Sequence, residues 1–185
     1  MNYIRPHYKI LVNRLKGKKR GHIQVLYGPR QVGKTTLIHQ FLKQSPYPYH
    51  FAAADYVPAG SGLWVQQQWE AARIKLRQKQ AEAVILVIDE IQKIPNWSEV
   101  VKKEWDADAI EDVPVKVVLM GSSALRVQQG LTESLAGRYE SMYMGHWELQ
   151  EMQEAFGFTP EQFVWYGGYP GAVDFINDEQ RWKEY

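Results

Sequence analysis

A short apolar run at residues 23–27 ends at a glycine, and an apolar pattern at helical spacing follows it within ten residues. The residues between the two patterns, 28–35, read Gly-Pro-Arg-Gln-Val-Gly-Lys-Thr. Leu37 and Phe41 are then four residues apart, as are Ile38 and Leu42, and this spacing predicts a helix. A strand that is followed by a glycine-rich turn and then by a helix forms a βα unit. This feature therefore constrains the chain to an α/β fold.

Apolar runs and helical patterns continue to alternate along the chain. Further strands are predicted at 49–54, 83–88, 115–120 and, more weakly, 141–144. The run at 83–88 is apolar throughout, which is typical of a parallel strand covered by helices on both faces. From about residue 150 the pattern becomes helical. We therefore predict three regions: a basic N-terminal segment at 1–22, an α/β core at 23–149 and a helical segment at 150–185.

The glycine-rich turn matches the phosphate-binding pattern G-x-x-x-x-G-K-[ST] at every fixed position. In this context the backbone N–H groups and the positive end of the helix face phosphate oxygens. Lys34 supplies a charge for the β- and γ-phosphates, and the Thr35 hydroxyl is placed to ligate Mg²⁺. The predicted nucleotide-binding residues are Gly28, Pro29, Arg30, Gln31, Val32, Gly33, Lys34, Thr35 and Thr36.

Two carboxylates, Asp89 and Glu90, directly follow the apolar run at 83–88. The carboxyl ends of parallel strands share one edge of a sheet, so both acids are expected beside the phosphate-binding turn. We assign Asp89 to the Mg²⁺ shell and Glu90 to general-base activation of the attacking water. A pair of acids at this position favours hydrolysis of a nucleotide over binding alone.

Further polar residues follow the strand predicted at 115–120. A hydroxyl of Ser122 or Ser123 is placed to contact the γ-phosphate or the attacking water, and the sequence does not distinguish the two serines. Capping of a short helix that starts near residue 124 is an equally good interpretation of these serines. Arg138 and Arg126 are candidates for neutralising charge in the transition state. The predicted catalytic residues are Lys34, Glu90, Ser122, Ser123 and Arg138.

Composition excludes several classes of site. The chain has 185 residues and no cysteine, which excludes disulfides, thiolate metal sites and a cysteine nucleophile, and its five histidines lack metal-ligand spacing. The longest apolar run, six residues, is too short to span a bilayer, and residues 1–6 lack the apolar stretch typical of a signal peptide. We therefore expect a cytoplasmic protein without a membrane partner.

Charge is distributed unevenly along the chain. Residues 1–54 carry ten Lys and Arg and no acid, whereas residues 55–185 carry twelve Lys and Arg and twenty-one acids. Lys16, Lys18, Lys19 and Arg20 form the densest basic cluster. It is interpreted first as a solvated basic turn, with a nucleic-acid or protein contact as the alternative.

Five strings in the same order resemble one protein family. They are GPRQVGKTT at 28–36, VIDEIQKIPNW at 87–97, GSSALRV at 121–127, GLTESLAGRYE at 130–140 and GGYPGA at 167–172. Together they resemble the bacterial and archaeal AAA-type ATPases that carry a C-terminal domain of unknown function. Members of that family run on well past the length of this chain.

The resemblance implies a three-layer P-loop ATPase with a parallel sheet in the order 5-1-4-3-2. It implies ATP and Mg²⁺ as cofactors, Lys34 and Thr35 as the Walker A residues, and Asp89 and Glu90 as the Walker B residues. It further implies a serine of the 122–123 pair as sensor 1 and Arg138 as an arginine finger. Whether the chain forms a homo-oligomer is left open by the sequence. The sequence leaves open a nucleotide-dependent switch with little turnover and a small-molecule kinase. A GTPase fits less well, because no guanine-recognition string is present.

Overall fold

Five parallel strands form a single sheet. The computed structural model describes residues 3–17, 20–57, 62–123, 127, 131, 134–176 and 178–184. The strands are β1 (Ile23–Tyr27), β2 (Tyr49–Ala53), β3 (Val84–Asp89), β4 (Val115–Gly121) and β5 (Tyr139–Tyr143). Their order is β2-β3-β4-β1-β5, and every neighbouring pair is parallel. The predicted α/β fold class and the strand order 5-1-4-3-2 are therefore confirmed.

Helices cover both faces of this sheet. They are α1 (His7–Leu15), α2 (Lys34–Gln44), α3 (Gly62–Lys79), α4 (Trp97–Ile110), α5 (Leu149–Phe156), α6 (Pro160–Tyr166) and α7 (Glu179–Glu184). Side chains of alternate strand residues point to opposite faces of the sheet. Helices α1 and α2 contribute to the hydrophobic core on one face, and α3 and α4 contribute to the core on the other. Within the described part of the chain, no helix combines the length and apolar character needed to cross a membrane.

Strand register determines where the loops of the site emerge. Tyr27, the last residue of β1, pairs with Gly121, the last residue of β4, and Ile88 of β3 pairs with Leu119 of the same strand. All three strands are buried along almost their whole length, as their apolar sequences predict. The residues that follow them therefore meet at one edge of the sheet.

The N-terminal segment contributes a helix that the sequence patterns did not reveal. Helix α1 buries Leu11 and Leu15 completely or nearly so, and both side chains join the core on the α2 face. The basic cluster that follows is only partly described, because Lys18 and Lys19 lie outside the described residues. Its Arg20 guanidinium lies 3.6 Å from the centroid of the Trp105 ring and donates to the Trp105 carbonyl (2.5 Å). Arg20 is therefore used in packing against α4.

A buried arginine joins the N-terminal segment to the rest of the chain. Arg5 donates two hydrogen bonds to the carboxylate of Glu151 on α5, at 2.8 and 2.6 Å. Its remaining nitrogen, Nη1, donates to the carbonyl oxygens of Val32 (3.2 Å) and Gly145 (3.0 Å). The Trp147 indole N–H donates to the same Val32 oxygen at 3.0 Å. Two distant parts of the chain thus hold one carbonyl of the glycine-rich turn.

The helices after residue 148 form a small aromatic core of their own around Trp147. Its ring lies 5.2 Å from that of Tyr3, and Phe158 is buried in the same cluster. Helix α6 begins with a reciprocal cap, in which Thr159 accepts from the Gln162 N–H and the Gln162 side chain accepts from the Thr159 N–H. The helical character predicted for this region is present, and the cluster places Trp147 beside the turn.

The charge state of Glu151 depends on this arrangement. Burial alone would raise the pKa of the Glu151 carboxyl. The hydrogen bonds from Arg5 and from the backbone N–H of Glu148, with the positive charge of Arg5, outweigh burial and hold this pKa below its usual range. A depressed carboxyl pKa stabilises the fold above the unfolded value of about 4.3, and this contribution is lost as the pH falls through the folded value.

We therefore predict that Glu151→Gln lowers the free energy of unfolding by on the order of 3 kcal/mol at pH 7, because it leaves the buried Arg5 charge without a carboxylate. The difference from wild type should narrow as the pH falls from about 4 through the depressed pKa of Glu151, because the wild-type carboxyl becomes protonated over that range. Thermal unfolding across this pH range measures it. The control is Glu154→Gln on the same helix, where the side chain is exposed. A difference that is equally large at pH 3 and pH 7 would contradict the prediction.

Candidate active site

Two glycines shape the turn between β1 and α2. Gly28 has φ +154°, and a Cβ there would lie 2.0 Å from the carbonyl oxygen of Met144. Gly33 has φ +91° and immediately precedes Lys34, the first residue of α2. Both positions therefore require glycine, one for close approach and one for a left-handed backbone. The first N–H groups of α2 have no acceptor within the helix, which makes this end suited to an anion.

A cavity of about 730 Å³ runs along this turn. Its lining includes Lys34, Thr35, Asp89 and Glu90 from the turn and the end of β3, and also Tyr3, Trp147 and Pro170. Most of the predicted nucleotide-binding residues line it. They are Arg30, Gln31, Gly33, Lys34, Thr35 and Thr36. The cavity therefore combines charged side chains with the aromatic rings of Tyr3 and Trp147.

The remaining three predicted binding residues have other contacts. The carbonyl oxygens of Gly28 and Pro29 accept hydrogen bonds from the Lys34 ammonium, at 2.8 and 2.5 Å. The Val32 side chain is fully buried, and its carbonyl is the one held by Arg5 and Trp147. These residues support the shape of the turn rather than lining the cavity.

Lys34 is almost entirely buried, with 7% of its surface exposed. Burial is the main reason that its pKa lies below the usual lysine range. The negative charges of Glu90 and Asp89 oppose this shift, and Arg30 adds to it. The two carboxylates thus do not fully offset the removal of the ammonium from water. A bound anion would stabilise the charged form of Lys34 further.

Asp89 ends β3 and faces the start of α2. The Thr35 hydroxyl donates to its Oδ2 atom at 3.2 Å, and the backbone N–H of Glu90 donates to Oδ1 at 2.9 Å. Burial raises the pKa of the Asp89 carboxyl, and these two hydrogen bonds offset only part of that effect. Thr35 and Asp89 bring hard oxygen donors together. Mg²⁺ suits such a site, since it is commonly bound by one or two carboxylates together with substrate phosphates and water.

Glu90 has a left-handed backbone, with φ +52°, which is uncommon for a residue with a side chain. The Ser122 hydroxyl donates to its Oε2 atom at 2.7 Å, and the Gln92 amide donates to the same oxygen. Ser123 lies further on, where its carbonyl oxygen accepts the N–H of Val127 at 3.0 Å. The structure thus distinguishes the two serines and brings Ser122 to the predicted general base.

Arg138 lies near the amino end of β1, at the opposite end of the strands from the glycine-rich turn. Its backbone carbonyl accepts the N–H of Ile23, the first residue of β1, and its guanidinium pairs with Asp106 of α4 at 2.8 and 3.0 Å. Five residues of strand, on the order of 16 Å, separate this position from the turn after β1. In this structure Arg138 therefore lies far from the glycine-rich turn of its own chain. The other candidate, Arg126, lies outside the described residues.

Sequence patterns missed Tyr3, Arg5, Trp147 and Gln92. The partners of Arg5 lie 27 to 146 residues away along the chain, so no local spacing could reveal them. Gln92 is part of the string 87–97, two residues after Glu90, and this proximity is the signal that could have identified it. The described residues contain no cluster of three or more His, Cys, Asp or Glu side chains suited to a metal ion.

Known structures share this fold at low sequence identity. A katanin chain from a study of katanin self-assembly aligns with a TM-score of 0.58 and 18% identity, over 88% of this chain and 57% of the other. The RuvB Holliday junction branch migration motor of Thermotoga maritima aligns with a TM-score of 0.53 and 19% identity, over 80% and 47%. The AAA domain of FIGL-1 in complex with ADP aligns with a TM-score of 0.50 and 21% identity, over 76% and 48%.

The chain spans about half the length of these structural neighbours. No protein of curated function matches it in sequence. The sequence model of a family described as an AAA domain matches residues 20–153, which include the glycine-rich turn, both acids and all five strands. The chain therefore belongs to the AAA family of P-loop ATPase domains.

Proposed function

We propose that this domain binds Mg·ATP and hydrolyses it. The observation that carries the proposal is that Lys34, Thr35, Asp89 and Glu90 line a single cavity. Each supplies a function that phosphoryl transfer needs: a charge for the phosphates, two oxygen ligands and a carboxylate for the water. The effector that this hydrolysis drives is, as the family resemblance implies, a partner protein or a C-terminal domain.

Binding would place the triphosphate over the N-terminus of α2. The free N–H groups there and the Lys34 ammonium would receive its oxygens, with Lys34 exchanging the carbonyls of Gly28 and Pro29 for phosphate. The adenine base of ATP would lie against Tyr3 and Trp147, which line the same cavity and offer aromatic surface. The ADP complex of the structurally similar FIGL-1 domain supports a nucleotide ligand.

Hydrolysis would need a bound water opposite the leaving diphosphate. Thr35 and Asp89 would hold Mg²⁺, which when bound neutralises charge on the phosphate oxygens. Glu90 would accept a proton from the water as the water oxygen bonds to the γ-phosphorus and the bond to the bridging oxygen of the β-phosphate breaks. Ser122 would help to orient Glu90 through its 2.7 Å hydrogen bond.

Lys34→Ala is predicted to weaken ATP binding by at least about 10-fold, because it removes a buried positive charge from the phosphate end. Equilibrium titration with a fluorescent ATP analogue measures the change. The matched control is Lys43→Ala, which removes an exposed lysine from the other end of the same helix and should leave affinity unchanged. Equal affinity of Lys34→Ala and wild type would remove the phosphate-binding assignment.

Glu90→Gln is predicted to bind ATP with wild-type affinity and to hydrolyse it roughly 10²- to 10⁴-fold more slowly, since the amide cannot accept the proton of water. Phosphate release under saturating ATP and a parallel titration separate the two quantities. Glu99→Gln, an exposed acid on α4, is the control. Turnover close to wild type in Glu90→Gln would favour another base or the nucleotide-dependent switch.

Arg138 would act only on the nucleotide of a second copy, because it lies at the far edge of its own sheet. If it does, turnover per molecule should rise with protein concentration, and mixing inactive Arg138→Ala with inactive Lys34→Ala should restore some activity. An arginine finger is worth roughly 10³- to 10⁵-fold in rate.

Asp106→Asn serves as the control for this experiment, because it breaks the same ion pair and keeps the arginine. If Asp106→Asn reproduces the loss seen in Arg138→Ala, the pair has a structural role only. Full activity of Arg138→Ala at every concentration dismisses the arginine finger.

A further inference from the structure

Gln92 lies on a single 3₁₀ turn, Ile91–Lys93, that begins directly after Glu90. Its half-buried side chain turns back toward the strand edge, so that the amide nitrogen donates to Oε2 of Glu90 and lies 3.5 Å from the Ser122 hydroxyl oxygen. Ser122 itself donates to the same carboxylate oxygen at 2.7 Å. Two donors from two different loops therefore converge on one oxygen of Glu90.

The orientation of the Gln92 amide follows from this carboxylate. Its carbonyl oxygen, Oε1, is buried and has no hydrogen-bond partner among the described residues. Rotating the amide by half a turn would place that oxygen against Oε2 of Glu90, where two acceptors repel each other. The amide thus keeps its N–H group on the carboxylate although its own oxygen remains unpaired. A hydrogen bond to a charged acceptor is strong enough to explain this arrangement.

The end of β4 is shaped to accommodate the same side chain. A Cβ at Gly121 would lie 2.5 Å from Gln92 Oε1 and 2.5 Å from a methyl carbon of Val127, so only glycine leaves room for the amide. The Gly121 carbonyl also accepts the N–H of Gly28 at 3.3 Å. The Gln92 amide is therefore packed between the acid that follows β3 and the last residue of β4, next to the glycine-rich turn.

We propose that Gln92 is a positioning residue for Glu90. Together with Ser122 it would hold Oε2, so that the second carboxylate oxygen, Oε1, is presented to the attacking water. Gln92 itself would touch neither nucleotide nor water. This inference rests on the proposed function, because it assigns Gln92 a role in ATP hydrolysis through Glu90.

The test replaces the amide with a side chain of similar length and no N–H donor. Gln92→Met should lower kcat by about 10- to 100-fold, the equivalent of one hydrogen bond to a charged group, and leave the Kd for ATP within about twofold of wild type. Gln92→Glu keeps the shape but sets a carboxylate against Glu90, so its kcat should be at least as low. Gln68→Met makes the same chemical change at a half-buried, hydrogen-bonded glutamine on α3 and should have wild-type kcat.

A second measurement does not depend on turnover. The melting temperatures of Glu90→Met, which removes both acceptor oxygens, of Gln92→Met and of the double variant form a cycle in the protein without nucleotide. If the two side chains interact as described, the melting-temperature shift of the double variant should differ from the sum of the two single shifts. Strictly additive shifts would show that the two side chains do not interact, and the positioning role would then be overturned. This conclusion would hold even if Gln92→Met had low activity because it is unstable.

The outcomes separate this inference from the function on which it rests. If Glu90→Gln turns over ATP normally, the proposed hydrolytic role of Glu90 fails. If Glu90→Gln is inactive but Gln92→Met keeps wild-type kcat, only the positioning role is overturned. A kcat that rises in Gln92→Met would also overturn it, because the amide would then restrain Glu90 instead of positioning it.

Discussion

Parallel pairing of β4 with both β1 and β3 is the constraint on which the site depends. It brings the ends of three strands, Tyr27, Asp89 and Gly121, to one edge of the sheet within a few residues of register. The turn, the two acids and Ser122 follow those ends directly, so their proximity needs no long loop. An apolar strand buried on both faces cannot shift its register without exposing its neighbours to water, which keeps this edge well defined.

Much of this architecture could be predicted from sequence because its signals are local. The strand at 84–89 is apolar throughout, and the turn at 28–35 carries its glycines and Lys34 in a fixed spacing. Helix α1 was missed because its N-cap residue, Pro6, provides no capping side chain to mark where the helix begins. Arg5 was missed because its partners come from three distant segments. Likewise, nothing near Arg138 in sequence indicates that its partner is Asp106 or that it lies at the other edge of the sheet.

Burial shifts the pKa values of the two principal charges of the site in opposite directions. The pKa of Lys34 is lowered and that of Asp89 is raised, in both cases chiefly because the side chain is removed from water. In each case burial disfavours the charged form. In the proposed complex, phosphate oxygens would stabilise the lysine and a divalent cation would stabilise the carboxylate. Ligand binding would then compensate a desolvation cost that the free protein already carries, which is one physical source of affinity.

The carbonyl of Val32 accepts from Arg5 at one end of the chain and from Trp147 near the other. Regions that differ in composition along the sequence are thus joined through one atom of the turn. A fragment cut at residues 23 and 149 would retain all five strands and lose Arg5 together with its partner Glu151. It would also expose the ring of Trp147, which Tyr3 and Phe158 otherwise cover. The contacts that hold the turn therefore extend beyond the sheet, into the segments that precede β1 and follow β5.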